Sequence, residues 1–108
     1  MDEIIKILRQ FTKDRDWDQF HTAKNLAISI SLEANELLEC FQWSNRIDNF
    51  LKIEEELADI FIYCLIFADK FDLNYENIKS IILNKIEKNA KKYPIKKAKG
   101  NSKKYNKF

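Results

Sequence analysis

At 108 residues the chain allows one modest domain, and 45% hydrophobic with 33% charged residues excludes a disordered or fibrous protein. Its single glycine (Gly100) and single proline (Pro94) both lie near the C-terminal end, so the rest of the chain lacks the turn punctuation of a β fold. The net charge of +2 hides a division: residues 1–84 hold nine Lys/Arg against sixteen Asp/Glu, whereas residues 85–108 hold ten Lys against Glu87 alone. An acidic body suits cation binding and a basic tail suits phosphate.

Cys40 and Cys64 sit in apolar runs without metal-ligand spacing and read as small buried hydrophobes of a reducing compartment. The start, MDEIIKILRQ, lacks the apolar run of a leader, and no stretch has the length of a membrane span. A cytoplasmic protein without a membrane partner is expected.

In chain order, Ile4, Ile5, Leu8 and Phe11 mark one face of a helix over residues 2–12. Residues 13–21, KDRDWDQFH, break that period and read as a loop carrying Trp17 and Phe20. Thr22 is the expected N-cap of a second helix running to about Gln42, followed by a polar turn from Ser44 to Asp48. A third helix is expected from about Asn49 to Phe71, with Leu57, Ile60, Phe61, Leu65 and Phe67 toward a core. After a short link, a fourth helix over residues 75–92 carries Ile78, Ile81, Ile82 and Ile86 and is ended by Pro94. The remainder, IKKAKGNSKKYNKF, shows no period and reads as a tail. Short links between long helices imply an all-α antiparallel helix bundle, small enough to complete its core by oligomerising.

The chemistry lies in two unusually apolar helices. Glu33 and Glu36 are three residues apart on the second helix, and Glu56 and Asp59 repeat that spacing on the third, so each pair projects from one side. Lone ionised carboxylates in apolar helices are costly, but four that converge across an antiparallel contact can be stabilised by a divalent cation. An all-oxygen ligand set favours Mg²⁺, with Mn²⁺ as a substitute, over zinc or copper. A di-iron bundle would need Glu-x-x-His, and the only histidine, His21, lies outside both pairs. Glu39 continues the first series as a further ligand, a general base or a solvated acid. Trp17, Phe20 and Trp43 bracket the second helix and Tyr63 follows Asp59 by four residues, giving rings able to stack on a base. His21 could donate to a phosphate or bond locally. Asn25 and Ser29 draw a polar line toward Glu33 and could orient the carboxylates or, as substrate-binding residues, contact a sugar. Lys85, Asn89, Lys92 and Tyr93, then Lys99, Lys103, Lys104 and Tyr105, could neutralise a triphosphate.

Three segments, RDWDQFHTAKNLAISISLEANELLECFQW, EEELADIFIYCLIFADKF and LNKIEKNAKKYPIKKAKGNSKKY, together resemble the MazG-like nucleotide pyrophosphohydrolases, in the short subgroup akin to dCTP pyrophosphatase. The resemblance implies an all-α, Mg²⁺-dependent enzyme that cleaves a nucleoside triphosphate, such as dCTP or a related pyrimidine, to the monophosphate and pyrophosphate in nucleotide-pool cleansing. It implies metal ligation by Glu33, Glu36, Glu56 and Asp59, a base pocket from Trp17, His21, Trp43 and Tyr63, and phosphate contacts from Lys85, Asn89 and the KKY segment. It further implies a homodimer or homotetramer with sites at subunit interfaces. Leu32 departs from the wider family, where an adjacent glutamate is common, which leaves the general base open between Glu36 and Glu39. On this reading residues 1–93 form the catalytic domain and 94–108 a basic tail contributing to phosphate binding. The alternative is a non-catalytic helical dimerisation module with a nucleic-acid-binding tail, although the acidic body disfavours a specific nucleic-acid partner.

Overall fold

A computed structural model describes residues 1–43, 45–47 and 49–107, with the side chain of Tyr105 outside the description. Both ends of the polar turn expected from Ser44 to Asp48 also lie outside the described residues. Among those described, every regular element is helical, and no helix is long and apolar enough to cross a membrane. The chain divides into two compact units, Met1–Asn74 and Tyr75–Phe108.

The first unit contains α1 (Asp2–Asp14), a 3₁₀ turn (Asp18–Phe20), α2 (Ala23–Glu39) and α3 (Phe50–Lys70). Thr22 caps α2, its side chain accepting from the Asn25 backbone N–H at 3.1 Å. Asn49 caps α3 in the same way, accepting from the Lys52 N–H at 3.1 Å. Helix α2 ends three residues before the expected Gln42, and its last carbonyls are taken by single turns from Cys40, Phe41 and Gln42.

Two helix ends share a device that the sequence conceals. After α1, the Asp16 N–H donates to the Lys13 carbonyl (3.1 Å) and the Trp17 N–H to the Thr12 carbonyl (2.9 Å). After α3, Asp72 donates to Asp69 (3.0 Å) and Leu73 to Ala68 (3.0 Å). This crossed pair of bonds satisfies the orphan carbonyls and needs one left-handed residue, usually glycine. Here it is Asp16 (φ 53°) and Asp72 (φ 57°), one of the few side chains that tolerate that region.

Helices α1 and α2 both run antiparallel to α3. His21 and Leu26, at the start of α2, share a cavity with Leu65 and Asp69, whereas Glu36 and Glu39 share a cleft with Lys52 and Glu56. Ile5 and Arg9 of α1 sit with Asp69, and Phe11 and Thr12 with Asp59 and Tyr63. The Arg9 guanidinium grips both Asp69 oxygens, tying α1 to α3. Among the described residues, Ile5, Leu26, Leu65 and Ala68 are the buried hydrophobic ones, a small core. Leu57 and Phe61, expected to point inward, are exposed, as are Ile28, Leu32 and Leu38 of α2. Both helices are apolar on more than one face, and a three-helix unit covers only one of them. For the same reason the free thiols are less hidden than expected: Cys40 is half-buried and Cys64 exposed.

The second unit holds α4 (Tyr75–Lys92), α5 (Ile95–Ala98) and a 3₁₀ turn (Tyr105–Lys107). The expectation of a tail without helix is therefore corrected. Pro94 cannot extend α4, but its fixed φ suits a helix start. Its carbonyl accepts from Lys97 and Ala98, each at 2.9 Å. Gly100, at φ 82°, then turns the chain out of α5.

Leu26, the most fully enclosed side chain at 1% exposure, joins the start of α2 to Leu65. Truncation to Ala leaves a cavity that this small core cannot close. We expect Leu26→Ala to cost about 3 kcal/mol, read as a lowered denaturation midpoint in urea at fixed protein concentration.

Candidate active site

Antiparallel packing with a three-residue spacing on each helix brings the two acidic pairs together. One oxygen from each of Glu33, Glu36, Glu56 and Asp59 lies within 4.8 Å of the others. Glu56 is 5% exposed, Glu33 and Asp59 are half-buried, and Glu36 opens to solvent. Glu33 Oε2 and Glu56 Oε2 are buried with no hydrogen-bond partner among the described residues. Buried carboxylate oxygens are rarely left so, and two facing one small space are suited to a hard, oxygen-seeking cation.

Neighbouring groups within the chain offset part of the charge of the cluster. The Glu36 carboxyl is pushed up to about 7, first by hydrogen bonding with Glu33, then with Glu56, and by the charge of Glu33. Glu56 is held below the usual carboxylate range, chiefly by Lys52, whose Nζ stands 2.6 Å from Glu56 Oε1. Reading the sequence by carboxylates alone missed Lys52, although its position one turn before Glu56 on the same helix face was visible. Glu39 does not join the converging oxygens. It lines the adjoining cleft of about 380 Å³ with Glu36, Cys40, Lys52 and Glu56.

Beside the carboxylates lies an apolar cavity of about 330 Å³, lined by Leu8, Phe11, Thr12, Trp17, His21, Asp59, Ile62, Tyr63 and Ile66. Asp59 belongs to both features, so cavity and cluster adjoin. Tyr63 confirms the proximity: its hydroxyl is pushed up by burial first, then by the charges of Glu33, Asp59 and Glu36. Trp17 is placed by the crossed turn after α1, which returns its ring edge-on to Phe11 at 5.6 Å between centroids, tilted 72°. The Arg15 guanidinium lies over the Phe11 ring at 3.6 Å and donates to the Phe11 carbonyl (3.0 Å). Phe11, Leu8, Ile62 and Ile66 were read in sequence as core or not at all, since an apolar wall and a core face share one period. His21 is half-buried, with Nδ1 lacking a partner among the described residues. Asn25 is engaged elsewhere, its Nδ2 donating to the Phe20 carbonyl (2.9 Å) and holding the loop that bears Trp17 and His21.

Trp43 is not drawn into this cavity and stands 89% exposed. In the second unit, Lys85, Asn89 and Lys92 occupy one face of α4 by helical spacing, Tyr93 donates its N–H to the Asn89 carbonyl (2.8 Å), and Lys99 follows α5.

The raised Glu36 carboxyl has a testable consequence for the metal-free protein. The folded state binds this proton more tightly than the unfolded chain, so the stabilisation is complete below about pH 4.5 and is lost as pH rises to about 7. In chelator, the melting temperature is expected to fall between pH 5 and 7.5, and Glu36→Gln should flatten that slope.

Comparison with known proteins agrees with this arrangement. The model of the MazG-like family matches residues 28–108. The chain is 27% identical to dCTP pyrophosphatase 1 of Mus musculus and 29% identical to that of Homo sapiens, each over 97% of this chain. It spans 65% of the length of those relatives. The crystal structure of a pyrophosphatase from Archaeoglobus fulgidus superposes with a TM-score of 0.78 at 42% identity, covering 87% of this chain and 92% of that one. With a family match over most of the chain that takes in both the Glu-x-x-Glu and the Glu-x-x-Asp pairs, this chain belongs to the MazG-like family.

Proposed function

We propose that the chain is a Mg²⁺-dependent nucleotide pyrophosphohydrolase, converting a nucleoside triphosphate and water to the monophosphate and pyrophosphate. The observation that carries this reading is the convergence of four carboxylates at the edge of an aromatic-lined cavity. Glu33, Glu36, Glu56 and Asp59 would hold the ion, and the two orphaned buried oxygens fit that role. When bound, Mg²⁺ supplies Lewis-acid polarisation of phosphate oxygens and offsets the charge developing on them.

The chain's own residues do the rest. The base enters the cavity between Trp17 and Tyr63, with His21 at its wall as a polar contact. A water oxygen attacks the α-phosphorus and its proton passes to Glu36 or Glu39. The bond to the bridging oxygen breaks, and the electron pair leaves with pyrophosphate. Lys85, Asn89, Lys92, Tyr93, Lys99 and Tyr105 engage the phosphates, and the basic segment after residue 93 contributes to that binding. Support comes from charge: residues 75–108 hold eleven Lys against two Glu. The relatives' names favour dCTP or a related pyrimidine deoxynucleotide. A role in cleansing the nucleotide pool of the cytoplasm is part of the same proposal. The apolar surface left on α2 and α3, together with the exposed Trp43, supports a homodimer or homotetramer with sites at the subunit interfaces.

A panel of canonical and modified NTPs and dNTPs, incubated with and without Mg²⁺, tests the reading. The expected products are monophosphate and pyrophosphate, whereas diphosphate plus orthophosphate overturns attack at the α-phosphorus. Glu33→Gln and Asp59→Asn should each lower turnover by about 100-fold or more and weaken divalent-ion binding. A carboxylate pair that only solvates a helix would leave both unchanged. Trp17→Ala should raise KM roughly tenfold with little change in kcat, the loss of one stacking partner.

A further inference from the structure

Lys52 occupies a place that helix chemistry disfavours. Counting from the Asn49 cap it is the third residue of α3, where the positive end of the helix dipole favours an acid and repels a cation. Its pairing with Glu56 runs in the less favourable i to i+4 order, lysine before glutamate. Local stability therefore does not account for a lysine here.

What it touches does. Glu56 is the most buried of the four converging carboxylates, its side chain 6% exposed, and Lys52 Nζ meets Oε1 at 2.6 Å. The other oxygen, Oε2, has no partner among the described residues. Lys52 itself remains 55% exposed at its side chain, on a flexible stem able to withdraw into solvent. The Asn49 cap fixes the first turn of α3, and with it the reach of the lysine.

We propose that Lys52 is the built-in counter-ion of the metal-free centre and competes with the divalent cation for Glu56, setting the metal concentration at which the centre fills. This rests on the metal-centre reading above. A single positive charge within bonding distance of a ligand carboxylate opposes an incoming double charge by Coulomb repulsion, and the ion pair must loosen for Glu56 to give both oxygens. In return, the buried carboxylate is never without a cation. Lys52 acts through Glu56 and is a positioning residue in that sense.

The test is direct Mn²⁺ binding by electron paramagnetic resonance, with Mg²⁺ competition, on wild type, Lys52→Met, Lys52→Gln and Lys52→Arg, alongside melting in chelator. Removing the charge is expected to tighten Mn²⁺ binding about tenfold at low salt, less at high salt, and to lower the metal-free melting temperature. Lys52→Arg should bind as wild type does. If both neutral variants fold yet bind Mn²⁺ no more tightly than wild type, the competition is overturned. If wild type binds no divalent ion and Glu33→Gln behaves identically, the metal centre itself falls, taking the lysine's role with it.

Discussion

Four carboxylates within 4.8 Å of one another repel, and the first unit is organised around answering that repulsion. Without metal, two positive contributions answer it: a proton that Glu36 retains toward neutral pH and the ammonium of Lys52 on Glu56. Neither suffices for full ionisation, since two buried oxygens stay without donors among the described residues. A folded protein that keeps so unfavourable a cluster gains something from it elsewhere, and strain of this kind gathers at functional sites.

The scaffold makes the repulsion tolerable by fixing helix starts and stops. Side-chain caps at Thr22 and Asn49 set the registers of α2 and α3, so the three-residue spacings face each other. Leu26 and Leu65 close the other end of the α2–α3 contact, and the Arg9 grip on Asp69 ties α1 to that end of α3. The turn that closes α1 also delivers Trp17 to the cavity wall. One set of backbone bonds thus serves both folding and the shape of the site.

The helical class, the four long helices and the carboxylate quartet were legible because each rests on periodicity or on spacing along one helix. Glu33 with Glu36, and Glu56 with Asp59, needed only the helix pitch and the assumption of an antiparallel neighbour. The stops of α1 and α3 were read to within two residues, but not the means of stopping, since Asp16 and Asp72 occupy left-handed positions where glycine would have signalled the turn. The short helix after Pro94 was hidden by its lysines, which carry no apolar period. Lys52 was missed because a lysine beside three glutamates reads as surface charge, and only the burial of Glu56 shows otherwise. Asn25, read as a residue that orients the carboxylates or contacts a sugar, also donates its Nδ2 to the Phe20 carbonyl, a bond across five residues that no helical pattern announces.

The charge division read along the chain keeps the same balance when it is drawn at the boundary between the two units. The first unit, to Asn74, holds eight Lys/Arg against fifteen Asp/Glu, and the second holds eleven Lys against two Glu. A triphosphate approaching the carboxylates alone would be repelled, and an ion bound there carries too little charge to reverse the balance of the whole unit. The exposed apolar faces of α2 and α3 pose the same problem in another currency: a core of Ile5, Leu26, Leu65 and Ala68 is thin for a chain of this length. Unpaired acidic charge and uncovered apolar surface are thus the two features of the first unit that the proposed substrate binding and the proposed assembly would each have to answer.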